Sequence, residues 1–142
     1  MSTRQVVDAS VVVKWYVPET DSAAAVALLE AASDLLAPDL LAAELANTLW
    51  KKVRRGELTA AQAEEVVAAF SNACPVTLVS SLRLLPAALE LALRWQRSVY
   101  DCLYLALAVA EGCHLFTADA RFAAGLAGSP LAATVRTVGA GQ

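Results

Sequence analysis

The stretch that decides the fold is QVVDASVVVKWY, residues 5–16. Its opening β-branched run favours a strand over 5–7, and a helix is predicted over 10–16. An acid, Asp8, stands at the junction between the two. A strand that leads directly into a helix is typical of α/β domains, in which strands and helices alternate around a mostly parallel sheet.

The rest of the chain repeats this alternation. Further strands are predicted over 35–37, 76–79, 115–116 and 134–138, and further helices over 21–32, 38–55, 59–73, 85–97, 98–111 and 119–126. Pro38 and Pro86 suit the first turn of a helix. We therefore expect one domain over residues 1–142, with three α/β/α layers and a central, mostly parallel sheet of four or five strands.

Composition excludes several classes of protein. The chain has 142 residues, of which 58% are hydrophobic and 18% charged, with a net charge of −3. Disordered chains combine low hydrophobicity with high net charge, and this chain has neither. The strongly basic surface of many nucleic-acid-binding proteins is also not indicated by its composition. His114 is the only histidine, which excludes ribonuclease chemistry based on a histidine pair and histidine-rich zinc sites.

Cysteines and hydropathy indicate a cytoplasmic protein. Cys74, Cys102 and Cys113 are too widely spaced for a CxxC-type site, and an odd number of such thiols suits a reducing compartment. The apolar stretch 103–110 is far shorter than the ~20 residues needed to span a bilayer. No membrane association is expected.

Four acids occupy positions that call for a functional explanation. Asp8 and Asp119 each follow a predicted strand, and parallel strands end at the edge of the sheet where ligands bind. Glu44 flanks the apolar stripe of a helix that begins near the same edge, whereas connectivity leaves the direction of the Asp101 helix open.

Local roles are the competing explanation for each acid. Asp8 and Asp119 are placed to cap the helices that follow them, and Asp101 to pair with a Ser98 cap. Glu44 is alternatively a solvated residue on a polar helix face. Three segments that direct carboxylates to one sheet edge nevertheless favour a shared site.

A cluster of carboxylates has a definite chemical requirement. Two carboxylates about 5 Å apart repel by roughly 3 kcal/mol at an effective dielectric of 20, so they must share a proton or hold a cation. An all-oxygen ligand set favours Mg²⁺ or Mn²⁺ over zinc. Phosphodiester hydrolysis is the natural chemistry of such a site, with Ser10, Asn47 and Thr117 as supporting polar residues.

Four motifs in order carry a resemblance to a known family. They are 7–11 with Lys14-Trp15 and Pro18-Glu19; 37–39 continuing through Glu44 to Asn47; Ser98 with 100–108; and 115–119 with Arg121-Phe122. Together they span nearly the whole chain. The sequence resembles the PIN-domain ribonuclease toxins of the VapC type.

This resemblance implies a compact α/β/α fold and a Mg²⁺- or Mn²⁺-dependent endoribonuclease. The acidic tetrad of the family falls on Asp8, Glu44, Asp101 and Asp119, with Ser98 as a further motif residue. It also implies a homodimer in a bacterial or archaeal cytoplasm. The partner would be a small VapB-type antitoxin that blocks the acidic site.

Two positions depart from the family pattern. Cys102 stands where alanine is usual, a change between small residues. Arg121 stands where some relatives have a further aspartate, which favours one tightly held ion over two.

Positive charge for contact with RNA is expected from Lys14, Lys51, Arg54, Arg97 and Arg121. An alternative for the cations near residues 51–55 is that they stabilise the carboxyl end of their helix. Both interpretations remain open.

Other nuclease and phosphatase classes fit less well. RNase H-type nucleases open with an antiparallel meander, whereas here the first strand leads into helices. Haloacid-dehalogenase-type phosphatases have a second aspartate two residues after the first, where this chain has Ser10. A catalytically silent PIN module that only binds partners remains the alternative from another functional class.

Overall fold

Five parallel strands form the centre of the protein, in a computed structural model that describes residues 3–32 and 34–139. The strands are β1 (Arg4–Val7), β2 (Asp34–Pro38), β3 (Thr77–Val79), β4 (Leu115–Thr117) and β5 (Val135–Thr137). Their order in the sheet is β3-β2-β1-β4-β5, and every neighbouring pair is parallel. The expected parallel α/β architecture is confirmed, with five strands. The expected domain limits at residues 1 and 142 lie outside the described residues.

Helices connect the strands. They are α1 (Ala9–Tyr16), α2 (Ser22–Ala31), α3 (Leu40–Arg54), α4 (Ala60–Asn72), α5 (Ser81–Trp95), α6 (Val99–Glu111) and α7 (Ala120–Gly125), with a short 3₁₀ helix at Pro130–Thr134. Over residues 3–32 and 34–139, none of the helices is long and apolar enough to cross a membrane.

The high apolar content of the chain is concentrated in a core around α6. Residues 102–108 of this helix are all buried. They pack against β1, β2 and β4 on one side and against α5 on the other. A helix that is apolar all round is expected where both of its sides are covered.

The order of the strands places a switch point between β1 and β4. From β1 the chain moves through β2 to β3 on one side, and then returns to β4 and β5 on the other. Val7 pairs with Phe116, so Asp8 and Thr117 follow at adjacent strand ends. In open α/β sheets, ligands bind in the crevice at such a point.

The helix predicted over 85–97 begins four residues earlier than expected. Ser80 is its N-cap and accepts a hydrogen bond from the Arg83 amide at 3.4 Å. Asp39 reaches across from the end of β2 and accepts from the Ser81 amide at 3.1 Å. Pro86 therefore lies inside α5, and not in its first turn as the sequence suggested. The cap at Ser80 and this long-range contact fix the start.

The helix predicted from Pro38 begins at Leu40. Pro38 is the last residue of β2, where it pairs with Val79 of β3. The Asp39 amide then donates to the Val79 carbonyl at 2.8 Å. Pairing with the edge strand thus extends β2 by one residue and delays the helix.

Candidate active site

One pocket at the carboxyl edge of the sheet brings all four predicted acids together. It has a volume of about 660 Å³. Its walls include Asp8 after β1, Glu44 on α3, Asp101 on α6 and Asp119 after β4. The predicted residues Ser10, Asn47, Lys14 and Lys51 also line it. The structure therefore resolves the direction of the Asp101 helix, whose first turn faces the same pocket.

Asp8 and Asp119 are helix caps as well as pocket residues. Oδ1 of Asp8 accepts hydrogen bonds from the Ser10 amide at 3.1 Å and the Val11 amide at 3.3 Å. Oδ1 of Asp119 accepts from the Arg121 and Phe122 amides at 3.0 and 3.2 Å. The local explanation of these acids is correct, but it does not compete with the shared site. Capping fixes each carboxyl at the pocket wall.

The Ser10 hydroxyl joins the ends of β1 and β4. It donates to Oδ1 of Asp8 at 2.5 Å and accepts from the Ala118 amide at 2.8 Å. It also lies 3.3 Å from the hydroxyl of Thr117, which is fully buried and accepts from the Asp119 amide at 3.0 Å. Ser10 and Thr117 therefore position both aspartates through one network.

Glu44 is held by a tyrosine that sequence reasoning did not single out. The buried Tyr104 hydroxyl donates to Oε1 of Glu44 at 2.5 Å, across from α6 to α3. Tyr104 lies three residues after Asp101, and this i+3 spacing on one helix face was the available signal. Burial and the nearby negative charge of Glu44 raise the pKa of Tyr104, so it remains a hydrogen-bond donor.

Asp101 lies in the first turn of α6, beside the largely enclosed side chain of Arg97. The Ser98 hydroxyl accepts from the Asp101 amide at 3.1 Å, which confirms Ser98 as the N-cap. The Arg97 guanidinium lies 3.9 Å from the Asp101 carboxylate and 5.4 Å from the ring centre of Phe122. Only 21% of the Arg97 side chain is exposed. Arg97 therefore links the start of α6 to α7, and its predicted contact with RNA stays a prediction.

The acids shift each other's protonation in the direction expected for a cation site. Burial raises the pKa of Asp8 to about 6, with hydrogen bonds from Ser10, Thr117 and Val11 opposing and the charge of Glu44 adding to the shift. Burial also raises the pKa of Glu44, against the Tyr104 hydrogen bond and with the charge of Asp101.

The four acids do not form a compact group of metal ligands. Among the residues the structure describes, no three Asp, Glu, His or Cys side chains lie close enough together to enclose a metal ion directly. Magnesium is commonly held by one or two carboxylates and keeps several water ligands. Four carboxylates around an open pocket fit such a hydrated ion.

The pocket wall also includes a largely enclosed ion-pair cluster of Lys14, Glu19 and Lys52. Glu19 accepts from Lys52 at 2.6 Å and from Lys14 at 3.2 Å, and Lys14 also donates to the Thr20 carbonyl at 2.7 Å. Burial raises the pKa of Glu19, but the two lysines outweigh it and the net shift is downward. Lys14 is thus held internally, and its expected contact with RNA stays a prediction.

Of the other cations expected to contact RNA, Lys51 lines the pocket, while Arg54 and Arg121 lie on the surface outside it. Glu19 and Lys52 were not singled out from the sequence as a pair, since 33 residues separate them.

Comparison with known proteins decides the family. The family model described as PIN domain matches residues 6–125. The chain belongs to the PIN domain family. Among curated proteins, this PIN domain is 39% identical over 119 residues to Ribonuclease VapC3 of Pyrobaculum aerophilum, covering 83% of the chain and 91% of that protein.

Solved structures agree with this PIN fold. PAE2754 from Pyrobaculum aerophilum superposes with a TM-score of 0.70 at 22% identity, covering 97% of this chain and 92% of that one. A toxin–antitoxin complex from Klebsiella pneumoniae gives a TM-score of 0.65 at 16% identity, covering 94% and 96%. The family model and the 39% identity to Ribonuclease VapC3 together confirm the resemblance to VapC-type PIN domains.

Replacing Ser10 by alanine tests the network between β1 and β4. The variant leaves the half-buried Ala118 amide without its acceptor, which costs about 1–3 kcal/mol. We expect the free energy of unfolding, measured by urea denaturation, to fall by this amount. Ser71→Ala removes an exposed hydroxyl on α4 and serves as the control. Equal stability of the two variants would contradict the proposed function of the Ser10 hydroxyl in joining the strand ends.

Replacing Glu19 by glutamine tests the ion-pair cluster through pH. Because folding lowers the pKa of Glu19 below 4.5, its stabilisation is present above that value and is lost as pH falls through the folded pKa. We expect Glu19→Gln to lose about 1–3 kcal/mol of unfolding free energy at pH 7, and the difference from wild type to shrink as the pH falls below 4.5. The exposed Glu65→Gln is the control; a deficit that did not depend on pH would show a packing defect instead.

Proposed function

We propose that this PIN domain is a metal-dependent endoribonuclease, the toxin of a toxin–antitoxin pair. The observation that carries the proposal is the convergence of four carboxylates, from four separate elements, on one open pocket. The similarity to a protein named Ribonuclease VapC3 supports RNA as the substrate. The three free thiols are compatible with the proposed cytoplasmic location.

The proposed cofactor is one Mg²⁺ or Mn²⁺ ion held by oxygen ligands from Asp8, Glu44, Asp101 and Asp119, partly through water. When bound, such an ion activates water as a nucleophile and stabilises the charge on a phosphoryl group. Arg121, two residues after Asp119, brings positive charge where a further carboxylate would be needed for a second tight ion.

Hydrogen bonds within the protein fix the positions of three of these carboxyl groups. The caps at Asp8 and Asp119 fix two carboxyls relative to the sheet, and Ser10 keeps the two strand ends together. Tyr104 orients Glu44 from the opposite side. Asn47, exposed on α3 beside Glu44, supplies an amide that can donate to a substrate phosphate.

Two protein partners are proposed. A VapB-type antitoxin would cover the acidic pocket, which the fold likeness to a toxin–antitoxin complex supports. A second copy of the chain would pack on the outer face of α5. There Leu82, Leu85, Leu89 and Leu93 are exposed at i, i+3, i+7 and i+11, and exposed apolar stripes of this kind mark interaction surfaces.

The activity is tested by RNA cleavage with Mg²⁺ or Mn²⁺, followed by gel analysis of the products. We expect cleavage that chelation with EDTA abolishes and that the divalent ion restores. Asp8→Asn should reduce the rate by about 100-fold or more, because even residues around metal ligands contribute 10- to 100-fold.

The matched control for this experiment is Glu65→Gln, which removes one exposed carboxylate on α4 far from the pocket. It should cleave like wild type. Equal cleavage by wild type and Asp8→Asn would indicate a contaminating nuclease. Absence of cleavage by either protein would favour the silent binding module.

The homodimer is tested by light scattering on the purified protein. We expect a dimer for wild type, and a monomer for Leu89→Glu, because a buried unpaired charge on the α5 face opposes association. Val67→Glu changes a similarly exposed apolar residue on α4 and should remain dimeric. A dimer of Leu89→Glu would place the contact elsewhere.

A further inference from the structure

We propose that Trp50 and the cations beside it form a stacking subsite for an unpaired nucleotide of the substrate, next to the acidic pocket. The inference rests on the proposed function, since it extends that site along α3. The second half of α3 would then bind single-stranded RNA. The acidic pocket alone does not specify this class of ligand.

Trp50 is an exposed aromatic that the fold does not use in its core. It lies on α3 with 53% of its surface exposed. The Arg54 guanidinium lies 4.8 Å from the centre of its ring, which holds the indole in place through a cation–π contact. Trp15, by contrast, is half-buried and donates its indole N–H to the Ala25 carbonyl.

Among the described residues, only two of the four cations near Trp50 form ion pairs. Lys52 and Arg55 lie 3.7 and 3.8 Å from Glu57. Lys51 and Arg54 make no ion pair within the described part of the chain. Stabilisation of the helix carboxyl end accounts for positive charge here, but not for an exposed tryptophan that lines a groove with two cations lacking ion pairs.

The subsite is continuous with the acidic pocket. Glu44, Asn47, Thr48 and Lys51 line that pocket from one face of α3. Lys51 also lines a neighbouring groove with Trp50, Arg54 and Arg55. Lys51 therefore borders both the acidic pocket and the groove. An RNA strand that leaves the pocket along α3 would reach Trp50 next.

The distance along the helix fits a short run of nucleotides. Six residues separate Glu44 from Trp50, which is about 9 Å along α3 at 1.5 Å per residue. Stacked nucleotides rise about 3.4 Å each, so Trp50 lies roughly two to three nucleotides from a phosphate bound beside Glu44. Aromatic stacking accepts any base, and cations beside it track the backbone.

Binding of a labelled, unstructured oligoribonucleotide of about eight nucleotides tests the subsite. The full chain is titrated in EDTA, so that binding is measured without cleavage, and fluorescence anisotropy gives the Kd. We expect Trp50→Ala to weaken binding by roughly fivefold to 100-fold, and Trp50→Phe to recover most of the loss. Lys51→Gln and Arg54→Gln should each reduce the salt dependence of log K by about 0.7.

Arg94→Gln is the matched control. Arg94 stacks on Trp95 at 5.4 Å, as Arg54 does on Trp50, but on α5 and away from the pocket. It should leave binding unchanged. If Trp50→Ala, with an unchanged melting temperature, binds the oligonucleotide within about twofold of wild type, the subsite is overturned.

Three combined outcomes separate this inference from the proposed activity and from a protein interface. Cleavage by wild type together with unchanged binding by Trp50→Ala overturns the subsite and leaves the nuclease intact. Trp50-dependent binding without any metal-dependent cleavage supports the subsite and removes the nuclease. Loss of antitoxin binding by Trp50→Ala, with RNA binding unchanged, makes this surface a protein interface and overturns the inference.

Discussion

The parallel pairing of β1 with β4 is the constraint on which the site depends. Because Val7 pairs with Phe116, the two strands end side by side and the residues that follow them meet. The Ser10 hydroxyl then bridges the two ends by bonding both Asp8 and the Ala118 amide. The aspartates on these two strands are neighbours for a topological reason that no local propensity supplies.

Bringing carboxylates together in a partly buried pocket destabilises their charged forms. Hydrogen bonds from other residues of the pocket offset part of this cost. The raised pKa values of Asp8 and Glu44 come first from burial, to which the charge of Glu44 adds at Asp8 and the charge of Asp101 adds at Glu44. The hydrogen bonds from Ser10 and Tyr104 oppose these shifts and keep the carboxyls oriented. A site whose residues are not arranged for maximal stability is a common compromise between stability and function.

The distribution of charge bears on the proposal that RNA is the substrate. The net charge of −3 argues against a partner as acidic as RNA. In the fold, four acids line one pocket, whereas Lys51 and Arg54 lie unpaired along the same helix beyond it. Local arrangement therefore separates a region suited to cations from a region suited to phosphates, which a sum over the chain conceals.

Local patterns in the sequence predicted most of the architecture, because strand runs and caps are local. A capping box at Thr59–Gln62 begins α4, where a helix over 59–73 is predicted, and the cap at Ser98 is present as expected. Asp101 was harder, since two helices intervene between β3 and β4 and connectivity does not fix its direction. Pro86 misled because a long-range bond from Asp39 helps to fix the helix start. The Glu19–Lys52 pair joins positions 33 residues apart, which no local pattern reveals. The i+3 spacing from Asp101 marks the helix face of Tyr104, but not its partner Glu44, which lies 60 residues away.

The central claim is that the four carboxylates act as one metal site. Calorimetric titration of the metal-free protein with Mn²⁺ tests it most directly, with wild type compared with Asp119→Asn and Glu44→Gln. The account predicts one tight site per chain, weakened about 10-fold or more in both variants. Two equally tight sites, or binding that neither substitution changes, would contradict it.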